Sequence, residues 1–318
     1  DADVSLVTLT ATGAAADLSV DGLLDVDHVR TIDVTATGGA NIDIADVELL
    51  GVDNDAATDI DVSLNLTSNG QDAADNSSTI TVAALNTATA TLDTVTIVSD
   101  ADGVVSLTSG GANLTITTID ASGSAGTLTL DTSVTAAAIS ANFGSGTNTI
   151  TTEVGLADTL TLLTSSGTDT VNVQSDNAGT SAADIVVNFE AGNNGDVLAL
   201  TVAELDGSGS DVVNGSGTTL SAALAVNLQT DADGALTIAA GTNVIVLTDI
   251  FADNAGVTTA LTAGATTASA VIADDDNLLV VWTDGADSYL TRFQINDADP
   301  DADGGGGAST IDGFDEVE

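Results

Sequence analysis

The segment best equipped for chemistry is Gly207-Ser208-Gly209-Ser210-Asp211-Val212-Val213. It fits G-x-G-x-D-x-U, the body of a nonapeptide repeat. In that repeat glycines turn the backbone tightly, the Asp supplies a carboxylate and the apolar residue anchors the next strand, with calcium between successive turns. Asp206 stands where the first Gly of the repeat would be. Degenerate copies recur. Gly144–Ile150 places Asn148 at the Asp position, Ser165–Val171 keeps Asp169 but lacks one Gly, and Gly192–Leu198 keeps Asp196 at altered spacing. A second pattern is the alternation Asp297, Asp299, Asp301, Asp303, followed by Gly304. It matches the first half of a D-x-D-x-D-G calcium loop, but the downstream Glu is out of place and Gly305–Gly307 replaces an exit helix. The expected calcium ligands are therefore Asp211, Asp169, Asp196, Asn148, Asp297, Asp299, Asp301 and Asp303. Gly, Asn and Asp also favour ordinary β-turns, so a solvated acidic turn is the competing account of each copy.

The charge balance gives these carboxylates their weight. The chain of 318 residues holds 48 Asp and Glu against two basic residues, Arg30 and Arg292, for a formal net charge of -46. Salt bridges cannot neutralise it, and charge of one sign weakens a compact state by self-repulsion. Calcium, which takes about 6–8 oxygen ligands, is the expected cofactor. The same balance argues against nucleic acid and acidic membrane surfaces, which are held by Lys and Arg. No apolar run approaches the ~18–20 residues of a membrane span. Zero cysteines exclude disulfides and thiolate metal sites. An enzyme is not expected. One histidine, His28, cannot build a multi-His zinc site, no lysine exists for a P-loop, and no G-x-S-x-G elbow occurs. A glycoside hydrolase needs only two carboxylates and is the remaining enzymatic alternative.

The elements that position these residues read as strands. Apolar residues are 43% of the chain, enough for a core, yet aromatics are only 2%. Val, Ile and Thr suit a pleated surface and penalise helices. Strands are expected at Ile60–Thr67, Ser78–Leu85, Ala90–Val98, Asn113–Ile119, Gly126–Asp131 and Asp158–Leu163, with short helices possible at Thr201–Asp206 and Thr218–Val226. Gly126-Thr127, Gly146-Thr147 and Gly167-Thr168 open strands 20 and 21 residues apart, with another strand near Asp158 between the last two. Two strands in about 20 residues is the spacing of one coil of a parallel β-solenoid, of β-helix or β-roll type. A narrow coil also explains the scarcity of aromatics. An antiparallel sandwich with strands every ~8–12 residues is the competing architecture. Six of the seven aromatics lie from Phe189 onward, and Phe189 itself is expected in a core. The expected organisation is an all-β chain: a Thr/Asp-rich β-solenoid over 1–180, then a C-terminal β domain over 181–318 with acidic loops.

The Gly/Asp turns, the Thr/Asp-rich strands and the segment Ala273–Asp299 resemble the RTX-type calcium-binding proteins exported by type I secretion, in particular their surface-layer and cell-surface members. The motif match covers residues 140–215 and 273–303, without tandem perfect nonapeptides. The resemblance implies a secreted, extracellular protein that folds on meeting calcium and self-assembles as a homo-oligomer or lattice at the cell surface. Its ligand roles carry over best to Asp211, then to Asp169 and Asp196. A calcium-dependent adhesin or carbohydrate-binding module, with cell-surface polysaccharide as partner, is the alternative. Trp282 and Tyr289 are the candidate aromatic platform, though both lie in strand-like segments.

Overall fold

The alternation of aliphatic residues with Thr, Ser, Asp and Asn forces one face of each strand inward. The computed structural model describes residues 6–14, 16–27, 31–50, 61–70, 77–87, 91–110, 116–153, 156–163, 167–173, 184–190, 195–200, 228–231, 237–238, 242, 244–262, 266–267, 277–286, 288–296 and 313–316. The chain divides into two compact units: 1–174 with 182–199, and 175–181 with 200–318.

The first unit is a parallel β-solenoid. Its odd strands are β1 (Leu6–Thr12), β3 (Thr31–Thr37), β5 (Asp61–Asn69), β7 (Thr91–Ser99), β9 (Ile116–Ala121), β11 (Ser140–Phe143), β13 (Thr159–Thr161) and β15 (Ile185–Val187). They form one eight-stranded sheet in that order. The even strands form the second: β2 (Asp17–Asp27), β4 (Asn41–Leu50), β6 (Ser78–Thr87), β8 (Gly103–Ser109), β10 (Thr127–Asp131), β12 (Asn148–Thr151), β14 (Thr170–Val173) and β16 (Val197–Leu200). Consecutive strands therefore alternate between sheets, and each pairs in parallel with the strand one coil away. The antiparallel sandwich is thereby excluded for this unit. Coil length varies: Ser140 pairs with Thr159, whereas Thr31 pairs with Ser63.

Stacking in register lines up like residues. In the odd sheet Val7, Ile32, Leu64, Val95, Ile119, Ala141, Leu160 and Val186 form one inward column. In the even sheet Val20, Ile44, Val82, Leu107, Leu130, Ile150 and Val171 form another. Most of these side chains are fully buried, and Phe143 is the single aromatic among the buried members of this core. Each buried aliphatic contributes about 1.5–3 kcal/mol by leaving water.

One corner between the sheets is built from backbone alone. A Cβ on Gly126 would lie 2.0 Å from the carbonyl oxygen of Gly103, one on Gly146 would lie 1.7 Å from that of Gly126, and one on Gly167 would lie 2.7 Å from that of Gly146. The glycine spacing seen in the sequence is thus a steric requirement: successive coils touch there through their main chains.

The second unit has a five-stranded mixed sheet in the order β17 (Leu228–Asp231), β19 (Val244–Ile250), β21 (Asn277–Thr283), β22 (Ser288–Asn296), β23 (Gly313–Glu316). The short pair β18 (Thr237–Ile238) and β20 (Thr266–Thr267) stands beside it in the order of elements, with helix α1 (Asn254–Thr262). Its core holds Phe251, Trp282 and Phe293, so the late aromatics do pack a different interior. Helix α1 was not expected. Asp253 caps it, its Oδ1 accepting the Gly256 N–H at 2.8 Å, and Val257 and Leu261 form its buried stripe. The helices expected at Thr201–Asp206 and Thr218–Val226 lie outside the described residues. Phe189 is a correction: it is 37% exposed rather than in a core. The preceding Asn188 adopts φ 63° and its amide donates to the Leu162 carbonyl at 3.0 Å, so the chain turns and leaves Phe189 outside.

The glycine corner makes a testable contrast. Gly146→Ala forces carbonyls apart and should lower unfolding free energy by about 1–3 kcal/mol. Gly123→Ala, whose Cβ would meet only the Val98 side chain, at 3.5 and 3.9 Å, should stay within about 0.5 kcal/mol. Urea denaturation of both variants measures the difference.

Candidate functional site

Like residues fall on like in a parallel stack, so acids in a chain with almost no cations gain from neutral neighbours. The register supplies them at many positions, although Asp25 pairs with Glu48. Asp33 stands between Thr8 and Asn65, Asp43 between Ser19 and Thr81, Asp120 between Thr96 and Asn142, and Asp131 between Thr108 and Thr151. Asn serves as a donor that carries no charge. Asn41 Nδ2 donates to Asp17 Oδ1 at 3.0 Å, Asn65 Nδ2 to Asp33 Oδ1 at 2.8 Å, and Asn86 Nδ2 to Asp46 Oδ1 at 2.8 Å, each across adjacent coils.

The same device goes inward where β12, β14 and β16 begin. An inward column of the even sheet runs Leu18, Ile42, Ile80, Val105, Leu128 and then changes to Asn148. Asn148, Asp169 and Asp196 follow on successive coils. Asp169 Oδ1 accepts the Asn148 backbone N–H at 2.9 Å and its amide at 2.8 Å; Asp196 Oδ1 accepts the Asp169 N–H at 3.0 Å. Asn148 Nδ2 also lies 3.4 Å from the Gly144 carbonyl and 3.3 Å from that of Gly146. Each carboxylate thus clamps the coil before it. The motif copies led to these three residues, and they do share one corner. The other expected ligands, Asp211, Asp297, Asp299, Asp301 and Asp303, lie outside the described residues.

Two buried oxygens at this corner, Asn148 Oδ1 and Asp169 Oδ2, have no hydrogen-bond partner. Both oxygens of Asp196 are occupied by backbone N–H groups, from Asp169 and from Glu190 at 2.8 Å. Asp169 Oδ1 is likewise taken. Among the described residues no group of three or more His, Asp or Glu is placed to hold a metal ion. The carboxylates align as hydrogen-bond acceptors along the stack instead of converging on one point. Burial raises the Asp169 carboxyl above its usual range, opposed by the two Asn148 donors and reinforced by the charge of Asp196.

The opposite corner carries a second ladder that the sequence did not reveal. Asp158 Oδ1 accepts the Ile139 N–H at 2.8 Å, and Asp184 Oδ1 accepts the Asp158 N–H at 3.0 Å. Glu153, on the turn between β12 and β13, joins it. Glu153 is 6% exposed and Asp158 is fully buried. Glu153 Oε1 and Asp158 Oδ2 have no hydrogen-bond partner. Burial pushes Glu153 up to about 7, with repulsion from Asp158 and then Asp184 adding to it and the Leu156 N–H opposing it. Burial also raises Asp158, against the N–H groups of Ile139 and Glu153.

In the second unit Trp282 is buried and donates from Nε1 to Thr291 Oγ1 at 3.0 Å, which makes it a core residue. Tyr289 stacks on it with ring centroids 4.2 Å apart, is 37% exposed, and donates its hydroxyl to Asp284 Oδ2 at 2.9 Å.

Asn148→Asp would set a buried carboxylate directly on Asp169. Its expected cost is about 3–5 kcal/mol at neutral pH. Asn65→Asp makes the same like-charge pair in a part-exposed place and should cost about 1 kcal/mol or less. Denaturation curves of the two variants at low salt give the comparison; equal costs would remove the inward ladder as a distinct structural element. Comparison with protein-family models, with curated proteins and with solved structures found no match for the chain.

Proposed function

We propose that the protein is a structural component of the cell exterior, a stiff acidic solenoid that assembles with copies of itself into a layer or filament. The observation that carries this reading is the continuous strand-to-strand pairing of the two eight-stranded sheets. Their corners are clamped by side chain to backbone bonds from one coil to the next. Such a stack resists bending and shear because every coil is tied to its neighbours by ladder bonds, aliphatic columns and corner clamps. Its outward rows of Thr, Ser, Asn and Asp suit contact with water and ions. The net charge of -46 and the lack of cysteine suit a salt-rich, extracellular setting. Among the described residues no helix is long and apolar enough to cross a membrane.

Calcium belongs to this proposal through the acidic sequence motifs at Asp211 and at Asp297–Asp303, where a folded chain of this charge needs cations. Electron microscopy and sedimentation with and without calcium test the assembly: ordered layers or filaments are expected with calcium, and discrete monomers at every calcium concentration would refute it. Native mass spectrometry should find several ions per chain, and Asp211→Ala should weaken the calcium titration.

A calcium-dependent adhesin is the second reading. It is supported by the half-exposed Tyr289 ring, held by Trp282 behind it and by Asp284 at its hydroxyl. Glycan-array binding that is lost in Tyr289→Ala would favour the adhesin; an array without binding favours the structural role.

A further inference from the structure

We propose that Glu153 and Asp158 form a proton-binding site that locks the corner between β12 and β13. Two buried acids share this corner: Glu153 is 6% exposed and Asp158 fully buried, Asp158 Oδ1 accepts the Ile139 N–H at 2.8 Å, and the charge of Asp158 acts on Glu153. Each acid leaves one oxygen, Glu153 Oε1 and Asp158 Oδ2, buried and without a hydrogen-bond partner. Asp184, one coil further on, bonds the Asp158 N–H and adds a third negative charge. On the preceding coil the corner begins at Thr132, whose N–H and Oγ1 donate to the Thr151 carbonyl at 2.9 and 2.8 Å and which carries no charge. The second unit holds Arg292, while His28 and Arg30 lie outside the described residues. Among the described residues of the solenoid no Lys, Arg or His stands to neutralise the pair, nor are three carboxylates placed to hold a metal. Two adjacent buried carboxyls without a cation ionise one at a time. One shared proton removes a charge and supplies the donor that the unpartnered oxygens lack.

The direction of the pH effect follows. The folded state keeps the proton up to about 7, whereas an unfolded Glu releases it near 4.5. Folded chains therefore bind more protons across that window, and stability falls as pH rises through it. The contribution is complete below the unfolded value and lost above the folded one. The composition limits the competing groups: ordinary carboxyls titrate near 4, the chain has one His, no Cys and no Lys, and besides Glu153 the described carboxyls raised by burial are Asp158 and Asp169, so Asp169→Asn serves as the control.

The test uses the full chain. Infrared difference spectra between about pH 6 and 8.5 should show one protonated carboxyl band lost with a midpoint near 7. The band should be absent in Glu153→Gln and move to lower pH in Asp158→Asn. Melting temperature should fall over the same range in the wild type and stay level in Glu153→Gln, whose amide can donate permanently to Asp158. No carboxyl band above pH 6 in the wild type, or an unchanged band in Glu153→Gln, would overturn the proposal. So would a melting temperature at pH 8 that drops on chelation in the wild type alone, which would mean that a metal ion occupies the corner.

Discussion

A parallel stack sets every side chain directly over its counterpart one coil away, about 4.8 Å distant. For aliphatic residues this repetition is favourable, and it builds the columns of Ile, Leu and Val that fill the solenoid. For carboxylates it is repulsive. A chain with 48 acids and two basic residues gains by keeping acids out of register or giving them uncharged donors. Both devices are present. Asp33 meets Thr8 and Asn65 and Asp120 meets Thr96 and Asn142, while the amides of Asn41, Asn65 and Asn86 bond the Asp of the coil before. Neutral amides and backbone N–H groups take the place that Lys and Arg hold in other proteins. Much of the charge is therefore tolerated within the described solenoid by local hydrogen bonding.

The inward ladders follow from the same constraint applied to the interior. A buried acid is expensive unless its oxygens are satisfied. Asp158 and Asp169 meet that demand at one oxygen each, Oδ1 accepting N–H groups of the preceding coil while Oδ2 has no partner, and Asp196 accepts the Asp169 N–H in turn; these bonds fix the coil spacing at both corners. The aliphatic column that ends at Leu128 and continues as Asn148 shows the exchange of apolar contact for directed bonding within one row. A hydroxyl-rich exterior, an aliphatic interior and acid clamps at the corners are three answers to one geometry.

The sequence announced the solenoid because stacking demands the same residue at the same place in every coil. Gly126, Gly146 and Gly167 kept that spacing, since any Cβ there strikes a carbonyl. It also brought Asn148, Asp169 and Asp196 to one corner through the motif copies. It could not say where their oxygens point. The same spacing serves an ion between turns or an N–H one coil away, and only the backbone register separates the two. Glu153 gave no signal at all, because its burial depends on neighbours from β12, β13 and the following coil. Helix α1 was equally hidden in a segment of Ala, Thr and Gly whose strongest cue, the cap at Asp253, is a single residue. Phe189 looked like core by type, and the left-handed turn at Asn188 placed it outside.

The unequal coils have a consequence for how such a chain changes over evolutionary time. Thr31 pairs with Ser63 and Ser140 with Thr159 in the same sheet, and much of the difference lies in the strands: β3 and β4 have 7 and 10 residues, β11 and β12 have 4 each. Strands can lengthen or shorten from coil to coil while their shared positions stay paired. Duplicating or deleting a whole coil would lengthen or shorten the unit by one strand spacing, like links added to a chain, and leave the packing of every other coil as it was.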